Sequence, residues 1–268
     1  PYVERLREGV AFLAARVQLK LDAEFPRFTQ ALLEIVHPHY LAPTPAMLVA
    51  QLTPDPNEPD LAPGSKIVPR GSSLQSLATG DVETACEFRT AQDVTLWPIE
   101  IASASYFSFA PDLPLNSVPV TRRIEGGVRL RLKATGGLKF GQIALDRLRL
   151  YVTGHDDIAS KLYELCLSSP LGVLVLPAPG KPGAYEFLPP DAVRPVGFAD
   201  DEAVLPVGLR SFQGYRLLQE YFSFPQRYRF FELRGLAPAV RQAGDELEIV
   251  ILLGRGDATL ESDVDRAN

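Results

Sequence analysis

The sequence predicts an α+β fold: N-terminal helices, then a mainly antiparallel β-sandwich, then a smaller mixed α/β unit. Three observations carry this. Apolar residues recur at steps of three and four at the start of the chain. They alternate with basic residues in VRLRLKA, Val128 to Ala134. They form one unbroken run in LEIVILLG, Leu247 to Gly254. The expected segments are a helical segment at 1–45, an antiparallel β-sandwich domain at 46–154, and a mixed α+β unit at 155–268.

The helices come first. Val3, Leu6, Val10, Leu13, Val17 and Leu21 fall on one narrow helical stripe, with Glu4, Arg7, Glu8 and Gln18 opposite. Phe12 and Leu19 make a second apolar spot off that stripe. Such a helix has two apolar contacts to satisfy, either inside its own domain or as a coiled-coil-like seam with another chain. Val3, Leu6, Val10, Phe12, Leu13, Val17 and Leu19 are therefore the candidate partner-interface residues. Pro26 suits the first turn of a second helix, with Phe28, Leu32, Ile35 and Val36 as its apolar side. His37-Pro38 stops it, because a residue before proline avoids the helical region.

The period changes after Ala46. Met47 to Leu52 reads as a short strand, and TPDPNEPDLAPG, Thr53 to Gly64, as a turn-rich loop. Ile67-Val68, Cys86 to Phe88 and Val94 to Ile101 are candidate strands. Val128, Leu130, Leu132 and Ala134 define a strand with one buried and one wet face, and Leu148, Leu150 and Val152 repeat the pattern. A new unit is expected near Gly154. There Asp156 can cap a helix bearing Ile158, Leu162 and Leu165, ended by Ser169-Pro170. GVLVLP and AYEFLP follow as strands around the turn APGKPG.

Composition narrows the function. The chain has 268 residues, 46% of them apolar, enough for one large core or two smaller ones. Its net charge of −6 disfavours general nucleic-acid binding. There is no run of about 18 apolar residues, so no transmembrane helix is expected. Cys86 and Cys166 read as two buried thiols in a reducing compartment, which places the protein in the cytoplasm. The chain begins at a proline and ends in ATLESDVDRAN directly after a strong strand, so a fragment is expected.

Chemistry-bearing motifs are few. His37, His39 and His155 do not supply the paired ligand spacing of a zinc site. No GxSxG, GxGxxG or GxxxxGK[ST] motif occurs. Gly180-Lys181 precedes a proline, which cannot donate the N–H a phosphate cradle requires. The basic set Arg122, Arg123, Arg129, Arg131, Lys133, Lys139, Arg147 and Arg149 reads first as a solvated strand face and second as a docking patch for an acidic surface. No catalytic, cofactor-binding or metal-binding residue is assigned, and no cofactor.

The stretch SFQGYRLLQEYFSFPQRYRFF, Ser211 to Phe231, holds eight of the chain's 24 aromatic residues. Ser211 is placed to cap a helix that puts Tyr215, Leu217, Leu218, Tyr221 and Phe222 on one half of the wheel. Phe224-Pro225 ends it, and a strand follows through Tyr228, Phe230 and Leu233. Too few basic residues interleave for a base-stacking platform. The expectation is a dense helix-on-sheet module held by Tyr215, Leu218, Tyr221, Phe222 and Phe230, with Trp97 as a further structural aromatic.

Three blocks carry a family resemblance. EGVAFLAARVQLKLDAEFPRFTQALLEIVHPHYLAPTPAM, FRTAQDVTLWPIEI and SFQGYRLLQEYFSFPQRYRFFEL resemble the TssF family, also called VasA or ImpG. The expected leader and the NCTPVVN-like block of that family are absent, so the chain resembles its N-terminal and middle part. The resemblance implies a structural, non-enzymatic subunit of the type VI secretion baseplate wedge. It implies two TssF copies with one TssG, attached TssK, and contacts to other baseplate and spike components. It implies assembly at the cytoplasmic face of the inner membrane, no nucleic acid, no small-molecule substrate and no membrane insertion. The alternative is a β-sandwich module that binds a carbohydrate or a peptide.

Overall fold

The computed structural model describes residues 1–55, 65–77, 84–177, 185–208 and 212–265. The fold is α+β, as the sequence predicts. The chain divides into two compact units. One comprises Pro1–Leu48 and Leu205–Phe224; the other comprises Val49–Val204 and Pro225–Asn268.

The first unit is helical. Helix α1 runs from Tyr2 to Val36 without interruption, so the two helices expected on either side of Pro26 are one. Pro26 removes one backbone donor, at a cost of about 3 kcal/mol in a helix interior. No second breaker lies nearby, and the apolar residues stay in phase across it, so the helix continues. Thr29 Oγ1 donates to the Pro26 carbonyl at 3.0 Å in the following turn. The helix ends at His37, whose N–H closes on Leu33 O at 2.7 Å. A short helix α2, Pro38–Leu41, follows. Helix α4, Gln213–Ser223, returns to this unit and ends at Phe224, just before Pro225. Ser211, the expected cap, lies outside the described residues.

The second unit is β-rich and contains helix α3, Asp156–Ser168, and the short α5, Ala237–Val240. Its main sheet has the order β5-β6-β12-β8-β9. These strands are Ile99–Phe107, Gly126–Ala134, Glu246–Leu253, Pro170–Leu176 and Glu186–Leu188. A three-stranded sheet has the order β10-β11-β7, from Val193–Pro195, Phe230–Arg234 and Arg147–Tyr151. Two further pairs join β1, Lys66–Val68, to β4, Val94–Leu96, and β2, Ser73–Gln75, to β3, Glu87–Arg89. Every one of these pairings is antiparallel.

Strand β12 sits at the centre of the main sheet and is buried on both faces. Leu247, Ile249, Ile251 and Leu253 enter a large core with Val128, Leu130 and Leu132 of β6, Leu162 and Leu165 of α3, and Phe231 and Leu233 of β11. Val250 and Leu252 enter a second core on the opposite face, with Leu174 and Val118. At Gly127 a Cβ would lie 2.8 Å from Ile251 O, so the β6–β12 approach requires glycine.

Several sequence expectations are corrected. β12 inserts between β6 and β8, so one sheet crosses the boundary expected near Gly154. Met47 to Leu52 forms no strand. Val94 to Ile101 is two strands, because Pro98 lacks the N–H that a continuous ladder needs. Asp156 is not a cap; it lies in the first turn of α3 and accepts from Arg229 Nη2 at 2.7 Å. Cys86 is exposed, while Cys166 is buried; both are free thiols. Burial pushes the Cys166 thiol up to about 12. The loop at 56–64 and the turn around Gly180-Lys181 lie outside the described residues.

Candidate protein-binding surface

Helix α1 has no buried residue along its 35 residues. At a rise of about 1.5 Å per residue it is roughly 50 Å long. The predicted interface side chains Val3, Leu6, Val10, Phe12, Leu13, Val17 and Leu19 are all exposed, Leu6 at 72%. Steps of three or four then carry the stripe on from Leu21, also exposed, through Phe25, Phe28, Leu32 and Ile35, which are exposed as well. The sequence reading missed this extension because it started a new helix at Pro26. Polar side chains flank the stripe: Gln18 Nε2 donates to Asp22 Oδ1 at 2.9 Å, one turn on. The Arg16 guanidinium lies 5.9 Å from the Phe12 ring centroid and screens part of the second spot. A narrow apolar seam with charged flanks is what a helical partner buries.

Helix α4 departs from its sequence reading. Its buried side chains are Arg216 and Glu220, not its aromatics. Arg216 Nη1 donates to both carboxylate oxygens of Glu220, at 3.2 and 3.1 Å. Leu205 N donates to Glu220 Oε1 at 2.9 Å. The pair and its hydrogen bonds make burial of a polar face tolerable. Tyr215, Leu218, Tyr221 and Phe222 are left exposed, Phe222 at 80%. Tyr215 stacks on His37, with ring centroids 4.4 Å apart. Phe230 belongs to the β-rich unit, where its ring is 4.6 Å from that of Tyr151. Trp97 also belongs there, half-buried against the large core. The residues expected in one helix-on-sheet module thus fall in two units, and within the helical unit an ion pair holds α4 with its charged side buried.

The basic set is partly neutralised. Arg129 lies 2.6 Å from Glu248 Oε1 and 2.5 Å from Asp112 Oδ2. The Arg129 Nε–Glu248 contact lacks hydrogen-bond alignment and counts as an ion pair. Arg149 contacts Glu232 and Glu202, each at 3.2 Å. Glu232, buried on β11, also accepts from Arg234 Nε. Burial alone would raise the Glu232 pKa; Arg234 and Arg149 outweigh it and hold the carboxyl below its usual range. Nothing in the sequence pattern marked Arg216, Glu220 or Glu232 as buried charges. Among the described residues, no three His, Cys, Asp or Glu gather as a metal site. The His39 side chain lies outside the described set. Among the described residues, no helix is long and apolar enough to cross a membrane.

These features define the class: an α+β protein with a β-rich unit built around its own hydrophobic cores and a helical unit whose longest helix carries an exposed apolar stripe. The chain belongs to the family described as "Type VI secretion system, TssF", which matches residues 1–268. It is 51% identical over 267 residues to the type VI secretion system component TssF1 of Pseudomonas aeruginosa, covering 99% of this chain and 42% of that protein. It also resembles a chain of the TssK-TssF-TssG baseplate subcomplex solved by cryo-electron microscopy. That match has a TM-score of 0.71 and 26% identity, over 98% of this chain and 46% of the other. The chain thus spans less than half the length of the relatives it matches.

Proposed function

We propose that the chain is part of a structural subunit of the type VI secretion baseplate wedge. It assembles with TssG, TssK and a second TssF copy at the cytoplasmic face of the inner membrane, and it catalyses no reaction. The observation that carries this is α1: 35 residues bearing a continuous apolar stripe with none buried. Its candidate contacts are Val3, Leu6, Val10, Phe12, Leu13, Val17 and Leu19, continued by Leu21 to Ile35. An amphipathic helix in a protein gains most of its stability from packing of its apolar face. Six such aliphatic side chains contribute about 1.5–3 kcal/mol each on full burial, before ordering costs. The fold match to a chain of the baseplate subcomplex supports a protein partner for that stripe. The test is co-elution of the family-length protein with TssG and TssK in size-exclusion chromatography. A stoichiometric complex is expected, with no thermal shift on adding sugars, nucleotides or metals. Failure to co-elute, or a reproducible shift with a sugar, moves the assignment to a binding module.

A further inference from the structure

The chain leaves the β-rich unit after Val204 and returns to it at Pro225. Just before the exit stands a 3-10 turn, Asp200–Glu202. Its own backbone bonds are local: Glu202 N–H donates to Ala199 O at 3.2 Å and Ala203 N–H to Asp200 O at 3.3 Å. The end of such a turn leaves carbonyls open to outside donors. Here three consecutive carbonyls accept from arginines. Arg70 Nη1 donates to Asp201 O at 3.3 Å, and Arg70 Nη2 to Ala203 O at 3.1 Å. Arg227 Nη2 donates to Glu202 O between them.

The Glu202 side chain fastens the same segment a second way. Its Oε2 accepts from Gly197 N–H at 2.7 Å, and its Oε1 lies 3.2 Å from Arg149 Nη2. The arginines come from separate places in the β-rich unit: Arg70 from the turn after β1, Arg149 from β7, and Arg227 from just past the return at Pro225. Glu202 stands just before the exit and Arg227 just after the return, so their bond ties together the two ends of the Leu205–Phe224 excursion. Arg227 and Ala203 are buried, whereas Arg70 is exposed and closes the segment from the solvent side.

We infer that this neck is a latch: the segment 197–204, clamped by Arg70, Arg149 and Arg227, opens and closes as one piece while both sheets stay folded. The inference is independent of what covers α1. A segment fastened by side chains rather than by a strand ladder is the kind that opens locally, below the free energy of global unfolding. Lifting it breaks the bonds to the Asp201, Glu202 and Ala203 carbonyls and the Gly197–Glu202 bond together, because all of them end on the same turn. Val196 N–H stays on Phe230 O of β11 at 3.1 Å, which sets the limit of the opening. Closed, the latch fixes where the chain leaves and re-enters the β-rich unit. Open, it frees both ends of the excursion at once.

Hydrogen exchange of the family-length protein, resolved at the amides of Gly197, Glu202 and Ala203, tests this. Arg70→Ala removes the outer clamp, while the backbone N–H at position 70 keeps its bond to Asp93 Oδ1. Exchange at all three amides should speed up by a common factor, roughly tenfold or more, with the β12 amides unchanged. Gly197 is the decisive amide, because its bond to Glu202 does not involve Arg70. Faster exchange at Glu202 and Ala203 alone overturns the inference, as does no change at any of the three. Loss of protection in β12 overturns it too, since the opening would then be global. Glu202→Gln gives a second measurement: it keeps an acceptor for Gly197 but loses the charge paired with Arg149. It should speed the same three amides together, and an effect confined to Gly197 contradicts the latch.

Discussion

Replacing Glu220 tests the inverted face of α4. The carboxylate accepts two bonds from Arg216 Nη1 and one from Leu205 N, and both charged side chains are fully buried. Glu220→Gln keeps an acceptor for Leu205 but removes the counter-charge. Breaking a buried pair in this way costs about 3–5 kcal/mol. Glu220→Leu removes the acceptor as well, adding about 1–3 kcal/mol for the unsatisfied donor. Arg216→Met with Glu220→Leu removes both charges together and should recover most of the loss, leaving mainly the Leu205 donor. Hydrogen exchange of the α4 amides reads these values directly, because local opening need not unfold the β-rich unit. About 3 kcal/mol corresponds to roughly a hundredfold fall in protection. The order expected is wild type, then the double variant, then Glu220→Gln, then Glu220→Leu. A fall of less than about fivefold for Glu220→Gln, or a double variant no better than the singles, would refute the buried pair and the outward aromatic face with it.

Three further outcomes follow from the β-rich unit. Ile249→Ala, at the centre of β12, should cost about 2–5 kcal/mol in urea unfolding, with both sheets losing structure together. Thiol labelling of the native protein near neutral pH should modify Cys86 alone, and Cys166 only after denaturation, because burial holds its proton. Glu232 is held below the usual carboxyl range, so its contribution to stability is complete above the unfolded value of about 4.3 and is lost as pH falls below it. The melting temperature should therefore drop on acidification below about pH 4.3, and Glu232→Gln should flatten that drop while lowering stability near neutral pH.

Local periodicity carried much of the fold. The alternation of Val128, Leu130 and Leu132 marked a strand with one core face, and β6 has that form. The run Leu247 to Gly254 marked a strand buried twice, and β12 is one. What periodicity could not supply was partnership. Glu246 pairs with Lys133 across more than a hundred residues, and no local signal announces that register. For this reason the sequence could not show that one sheet draws strands from both sides of Gly154. At Pro26 a local rule was overridden, because the phase of the apolar stripe persists through the proline. At α4 the wheel divided polar from apolar side chains correctly, with Arg216 and Glu220 on one half. It could not say which half faces inward, since that depends on Leu205 supplying a donor and Arg216 meeting Glu220. The candidate interface residues of α1 were legible as a stripe; their exposure was not, because a stripe packs equally well inside a domain.

The central claim is that the α1 stripe is a seam for a partner chain. The most direct test is Leu6→Asp with Leu13→Asp in the family-length protein, measured by co-purification with TssG. Both positions are exposed, so circular dichroism and the melting of the β-rich unit should not change. The account predicts loss of TssG from the purified complex with that unit intact. Recovery of TssG at wild-type yield would contradict it.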